Sequence, residues 1–256
     1  MTEPPMTELP MTELHPCALV PVYDHPETIA TVCDRLSAMD LPVILVDDGC
    51  SAPCRHELER LAAQGHHLVR HASNRGKGAA VRSGLAEAQR LGYTHALQVD
   101  ADGQHHADDL PAFIESMAHS PQTLLAGYAC YDESVPKARH YGRYATHVWV
   151  WINTLSCHIR DTMCGVRLYP VVQANALLEQ HPCGERMTFD TEVLVRWYWS
   201  GGDIENLPVR VHYPEDGISH FDVWRDNLQI SRMHARLFFA MLPRLPRLLK
   251  RHWVAS

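Results

Sequence analysis

The sequence has no apolar run approaching the roughly 20 residues that a bilayer-spanning helix needs. An uninterrupted stretch near Leu237 to Leu242 stops at Pro243, so no transmembrane helix is expected. Positive charge is also short. Lys and Arg number 23 against 30 Asp and Glu, a formal net charge of −7, which argues against the basic field of a nucleic-acid binder. No charged start leads into a continuous apolar stretch, so no signal peptide is expected. Nor do the 8 cysteines form a disulfide or zinc framework. Cys50, Cys54 and His56 lack the second Cys or His pair that would complete the four ligands of a structural zinc. The cysteines read as reduced, mostly buried thiols of a cytoplasmic protein. With 256 residues and 46% hydrophobic content, one large domain can bury its core without such staples.

What is present has a clear order. Residues 1–16 repeat Met-Thr-Glu with prolines; they carry too little apolar periodicity to pack and read as a disordered leader. From Cys17 onward short β-type runs alternate with segments of helical period, the sign of a parallel sheet flanked by helices. Strands are predicted at 18–23, 42–47, 67–71, 96–100 and 123–129, with helices at 28–39, 53–64, 78–91 and 107–118. The fold class expected is α/β, with a mostly parallel central sheet between helical layers.

In such sheets ligands bind beyond the carboxyl ends of the strands, where strand order reverses. Two strands here run into acids, Val46 into Asp47-Asp48-Gly49 and Val99 into Asp100-Ala101-Asp102-Gly103. A turn or helix cap explains one such Asp. Two clusters in one crevice would raise each other's pKa unless a cation or donor compensates. Asp-x-Asp offers the hard oxygen ligands that Mg²⁺ or Mn²⁺ prefers and leaves positions open for substrate phosphates.

Five motifs in order carry a resemblance. They are Val20-Pro-Val-Tyr-Asp24, Val46-Asp-Asp-Gly49, Asn74-Arg-Gly-Lys-Gly78, Asp100-Ala-Asp-Gly-Gln-His105 and Asp161-Thr-Met-Cys-Gly-Val-Arg167. Over residues 17–221 the chain resembles the family 2 glycosyltransferases of GT-A fold, in the dolichyl-phosphate mannosyltransferase-like branch. The resemblance implies a metal-dependent, inverting transfer of a sugar from a UDP- or GDP-linked donor, with Mg²⁺ or Mn²⁺ as cofactor. It implies that Pro21, Tyr23, Asp47 and Asp48 meet the nucleotide and that Lys77 lies near its phosphates. Asp100 and Asp102 are similar to the family's metal and ribose-diphosphate pair, with Gln104 a further ligand, and Arg143 and Arg167 clamp the diphosphate or an anionic acceptor. The family's Asn after strand one is Asp24 here.

Phe189-Asp-Thr-Glu192 opens a helical segment, and Asp190 or Glu192 is the general base expected if the acceptor is a hydroxyl; a lipid phosphate, already anionic, needs none. Asp190 also reads as a helix cap. Residues 203–213 read as a late strand. Gly217 and Ser219 mark a loop able to close over the donor, within reach of which His220 could meet the diphosphate. Residues 222–256 form a basic amphipathic tail with Arg236, Arg244, Arg247, Lys250 and Arg251 among Leu237, Phe238, Phe239, Leu242, Leu249 and Trp253. Pro243 and Pro246 should split it into two pieces. It either lies on an anionic membrane surface or docks on the body with a solvated basic face.

The reading that follows is a glycosyltransferase acting on a lipid or polyprenyl-phosphate acceptor, cytoplasmic or peripheral at the inner face of the plasma membrane. A silent nucleotide-sugar-binding scaffold is the alternative, and a nucleotidyltransferase is disfavoured because Asp24-His-Pro-Glu27 replaces a Gly-rich basic loop.

Overall fold

The computed structural model describes residues 13–131, 137–212 and 223–254, without the side chains of 131, 137–143, 145, 223–226 and 252–254. The leader through residue 12, the loop residues Gly217, Ser219 and His220, and the Arg143 side chain therefore lie outside the described residues.

The apolar runs became strands, the central ones buried on both faces, as parallel strands under helices are. They are β1 (Pro16–Val22), β2 (Val43–Asp47), β3 (His67–Arg70), β4 (His95–Gln98), β5 (Leu124–Tyr131), β6 (Arg167–Pro170) and β7 (Ile204–Val211). They form one sheet in the order β3-β2-β1-β4-β6-β5-β7. β6 runs antiparallel to both neighbours; the other pairings are parallel. This is the expected α/β sandwich with a mostly parallel sheet. The antiparallel β6 follows no periodic signal, because four residues are too few to show alternation.

Helices α1 (Ile29–Ser37), α2 (Ala52–Ala63), α3 (Lys77–Arg90), α4 (Pro111–His119), α5 (Lys137–Thr154), α6 (Val171–Gln180), α7 (Phe189–Trp199), α8 (Val223–Met241) and α9 (Leu245–Val254) cover the two faces. In β1 the alternation assigns each face: Cys17 and Leu19 enter one core with Val81 and Leu85 of α3, Val20 and Val22 the other with Ile29 and Leu36 of α1. The expected helix over 107–118 is divided into a 3₁₀ turn, Ala107–Asp109, and α4, whose first residue is Pro111. Proline lacks the N–H that a continuous helix would require there.

The tail docks. Met233, Leu237, Met241 and Leu248 are buried in the core that holds α3 and α7. Proline does split it, with a 3₁₀ turn over Leu242–Arg244 between α8 and α9. Arg251 donates to the carbonyls of Tyr198 (2.7 Å) and Gly202 (2.8 Å), closing the last turn of α7. Arg244 lies 5.0 Å from the Trp199 ring, and Arg236 pairs with Glu192. Arg247 and Lys250 remain exposed, together with Phe239, Leu242 and Leu249.

Candidate active site

Strand order reverses between β1 and β4, and a cavity of about 600 Å³ opens at their carboxyl ends. That volume suits a drug-sized or nucleotide-sized ligand. Pro21, Val22, Tyr23 and His25 supply one wall, Asp48, Asn74, Gly76 and Lys77 another, and Asp100, Ala101 and Asp102 the floor. Thr162, Met163, Arg186, Met187, Asp190 and Ile230 of α8 complete it.

The two acidic strand ends behave differently. Asp47 is fully buried and faces away from the cavity. Its Oδ1 accepts the Cys50 N–H at 2.8 Å and its Oδ2 the Arg70 Nε–H at 2.7 Å. Burial alone would raise its carboxyl, but those donors and the Arg70 charge hold it below the usual carboxylate range. Asp48 borders the cavity, with Oδ1 accepting from the Arg75 N–H (2.9 Å) and facing His71 Nδ1 (2.7 Å), and Oδ2 accepting from the Gly76 N–H (2.7 Å). Its main work is to hold the turn before α3, where Gly76 takes φ +103° with the Glu185 carbonyl against its Cα. The expectation that Asp47 meets the nucleotide is corrected: one of its oxygens holds the β2–α2 turn through Cys50 and the other is taken by Arg70 of β3.

Asp100 and Asp102 share the floor. Val99 still bonds Leu19 of β1, and the chain then turns so that both carboxylates meet the cavity. Burial first, then the neighbouring Asp100 charge, raises the Asp102 carboxyl above its ordinary value; its own partner is the Gln104 N–H at 3.0 Å. Asp100 is lowered. Burial opposes this, and the positive charge of Lys77 is the largest influence outweighing it. Lys77 Nζ stands 2.7 Å from Asp100 Oδ1 and 3.1 Å from Asp190 Oδ2. The first is a close ion pair, and both the Lys77 charge and its hydrogen bond lower Asp100. Gly165 lies so close that a Cβ there would sit 1.8 Å from Asp100 Oδ2, which explains a glycine in Asp161-Thr-Met-Cys-Gly-Val-Arg167. A half-buried carboxylate pair that shares a single lysine with Asp190 is a setting a divalent cation satisfies, and the residues present fit one.

Asp190 and Glu192 part company. Two positions apart on α7, they project roughly 200° apart around the helix. Asp190 meets the cavity; Glu192 is fully buried on the other side, paired with Arg236 and, at 3.6 Å, Arg196. Glu192 is therefore not placed to act as a base. Arg167 is corrected too. It is 1% exposed, donates to the carbonyls of Asp190 and Thr162 at 2.7 Å each, and lies 3.3 Å from Asp190 Oδ1. It positions Asp190 instead of reaching a diphosphate. Gln104 does not line the cavity; its carbonyl accepts the His212 N–H at the end of β7.

The family model described as Glycosyl transferase family 2 matches residues 17–182, well over half of the chain. The chain belongs to glycosyl transferase family 2. This family 2 glycosyltransferase is 23% identical over 216 residues to a UDP-N-acetylglucosamine--dolichyl-phosphate N-acetylglucosaminyltransferase of Methanococcus voltae, covering 77% of this chain and 85% of that one. It is 26% identical over 215 residues to a dolichyl-phosphate beta-glucosyltransferase of Dictyostelium discoideum, with 78% of this chain and 63% of that longer relative covered. In structure it resembles glucosyl-3-phosphoglycerate synthase of Mycobacterium tuberculosis, solved with Mn²⁺ and UDP-glucose. The TM-score is 0.65 at 16% identity, over 91% of this chain and 79% of that one. The fold is the expected GT-A type.

Sequence reasoning missed Arg186, Met187, Met163 and Ile230, which come to the cavity from a loop, a turn and the tail helix. Arg186 is the cavity's second cation, held by Asn74 Oδ1 at 3.0 Å. No periodicity or motif marks such positions. The family motif reaching Arg167 placed Thr162 and Met163 nearby without showing which would face the site.

Proposed function

We propose that this glycosyltransferase moves a hexose from a UDP- or GDP-linked donor to a lipid-linked phosphate, with inversion, using Mg²⁺ or Mn²⁺ held by Asp100 and Asp102. The observation that carries the metal reading is the floor itself: two half-buried carboxylates side by side after one strand, the second raised by burial and then by the charge of the first, with one lysine that Asp100 shares with Asp190. When bound, the cation supplies Lewis-acid stabilisation of the charge that grows on the departing diphosphate.

The chain's own groups supply the rest. Pro21, Val22 and Tyr23 form the wall against which the base lies, and Asp48 holds the neighbouring turn at the cavity's edge. Lys77 and Arg186 bring positive charge to the diphosphate; a guanidinium suits its paired oxygens. The acceptor oxygen bonds to the anomeric carbon as the bond from that carbon to the phosphate oxygen breaks, and the electron pair leaves with the nucleoside diphosphate. Asp190 faces Lys77 and Arg167 with its two oxygens. That pairing favours an acceptor that arrives ionised, because a hydroxyl would need Asp190 released from Lys77 to take its proton.

The acceptor class has two supports: the relatives named for dolichyl-phosphate transfer, and Met163 and Met187, 43% and 40% exposed at the cavity edge, which suit a lipid chain. Contact with the inner membrane face would run through Phe239, Leu242 and Leu249 with Arg247 and Lys250. Two exposed basic residues are worth about 2 kcal/mol at an anionic surface, so peripheral binding should be weak and reversible.

The test is transfer and donor hydrolysis against UDP- and GDP-sugars with polyprenyl phosphate, with Mn²⁺, Mg²⁺ or chelator. Chelator-sensitive, acceptor-dependent release of one nucleoside diphosphate is expected. Nucleotide binding without any metal dependence or release would favour the silent scaffold.

A further inference from the structure

The turn after β1 and the turn after β2 meet beside the cavity, and there the fold assembles a group that the spacing of Cys50 and Cys54 alone leaves incomplete. Asp24, Cys50 and Cys54 bring one carboxylate oxygen and two sulfurs within 4.8 Å of one another. Cys50 and Cys54 are 2% and 0% exposed. His56, the neighbour suggested by sequence spacing, is exposed and outside the cluster; the third ligand comes from a residue 26 positions earlier than Cys50.

Three further features suit thiolates better than a packed apolar contact. The Asp24 N–H donates to Cys50 Sγ at 3.4 Å. Asp24 reaches this position with φ +55°, a left-handed conformation that a side-chain-bearing residue adopts at some cost. Cys54 sits in the first turn of α2, where the helix dipole favours a thiolate. Cys50 Sγ currently donates to the Val22 carbonyl at 3.4 Å, so ionisation of that thiol releases one proton and one weak hydrogen bond.

We propose that Asp24, Cys50 and Cys54 form a second cation site, selective for a thiophilic ion such as Zn²⁺ and separate from the Asp100 and Asp102 pair. Two sulfurs exclude Mg²⁺ and Mn²⁺ as preferred occupants, because soft ligands select soft or borderline ions. Three protein ligands leave the fourth tetrahedral position for water. The site ties the turn bearing Tyr23 and His25 to the turn bearing Asp48, so occupancy stiffens the wall of the cavity. That last consequence rests on the donor reading above; the cation site does not.

The experiment is Co²⁺ titration of the reduced full-length protein, followed by Zn²⁺ displacement, in an Asp102→Asn background that weakens the oxygen site. One equivalent should produce a near-ultraviolet thiolate-to-cobalt absorption that Zn²⁺ removes. Cys50→Ser or Cys54→Ser should abolish it, Asp24→Asn should weaken binding roughly tenfold or more, and Cys157→Ser, at an exposed thiol, should leave it unchanged. If the cysteine variants fail to fold, Asp24→Asn carries the test alone, because its side chain is half-buried. Absence of the absorption, or its survival in Cys54→Ser, would overturn the proposal.

Discussion

Two strands of the same sheet end in paired acids, yet Asp47 and Asp48 sit in a well of donors while Asp100 and Asp102 do not. Around the first pair the chain supplies three backbone N–H groups, Arg70 and His71. Around the second it supplies the Gln104 N–H and one lysine that Asp190 shares. Equal composition thus becomes unequal electrostatics. A satisfied carboxylate organises its turn, whereas an underprovided one keeps coordination capacity for a ligand.

The strongest way to break this contrast is Asp102→Asn. Transfer should fall about 10²- to 10³-fold while the melting temperature holds or rises, because a like-charge neighbour of Asp100 is gone; a loss of folding with activity per folded molecule intact would reverse the assignment. Gly165→Ala should follow. Its Cβ would displace the Asp100 carboxylate, and a misplacement near 1 Å can lower turnover about 10²-fold, checked by turnover on folded protein. Asp47→Asn should do the opposite of Asp102→Asn. Urea melts should show a loss of about 1–3 kcal/mol, at the lower end because Arg70 is 37% exposed, with near-normal turnover by the folded fraction.

A smaller effect separates the pairs by sign. Asp47, held below the usual carboxylate range, stabilises the fold above its unfolded value of about 3.9, and this contribution disappears as pH falls through its lowered value. Asp102, raised, is unfavourable when charged, so in chelator its protonation regains stability as pH falls through the raised value. Melting temperatures from pH 7 to 3 in chelator should therefore show the Asp47→Asn deficit shrinking at the acid end. The Asp102→Asn advantage should vanish earlier, on the way down.

Legibility followed distance along the chain. The strands of the first half were readable within about two residues because short β-type runs, clearest at β1 and β2, alternate with segments of helical period. Asp100, Asp102 and Asp190 were singled out from local motif, and all three line the cavity. Glu192 was not separable from Asp190 by motif, since the 200° between them on α7 matters only once α8 brings Arg236 to one side. Arg167 looked like a phosphate clamp because a guanidinium has the same chemistry exposed or buried; its burial under Asp190 and Thr162 set its role. Arg186 and Ile230 had no local mark at all.

By itself the sequence determined the α/β class, the family, the acidic floor and the break in the tail, because each rests on residues adjacent or periodic in the chain. Only the tertiary structure decided which acids are satisfied, which cations face the cavity, that the tail helices belong to the core, and that Asp24 joins Cys50 and Cys54. Those are matters of donors and charges brought together across tens of residues, and a carboxylate's chemistry depends on the groups around it more than on its neighbours in sequence.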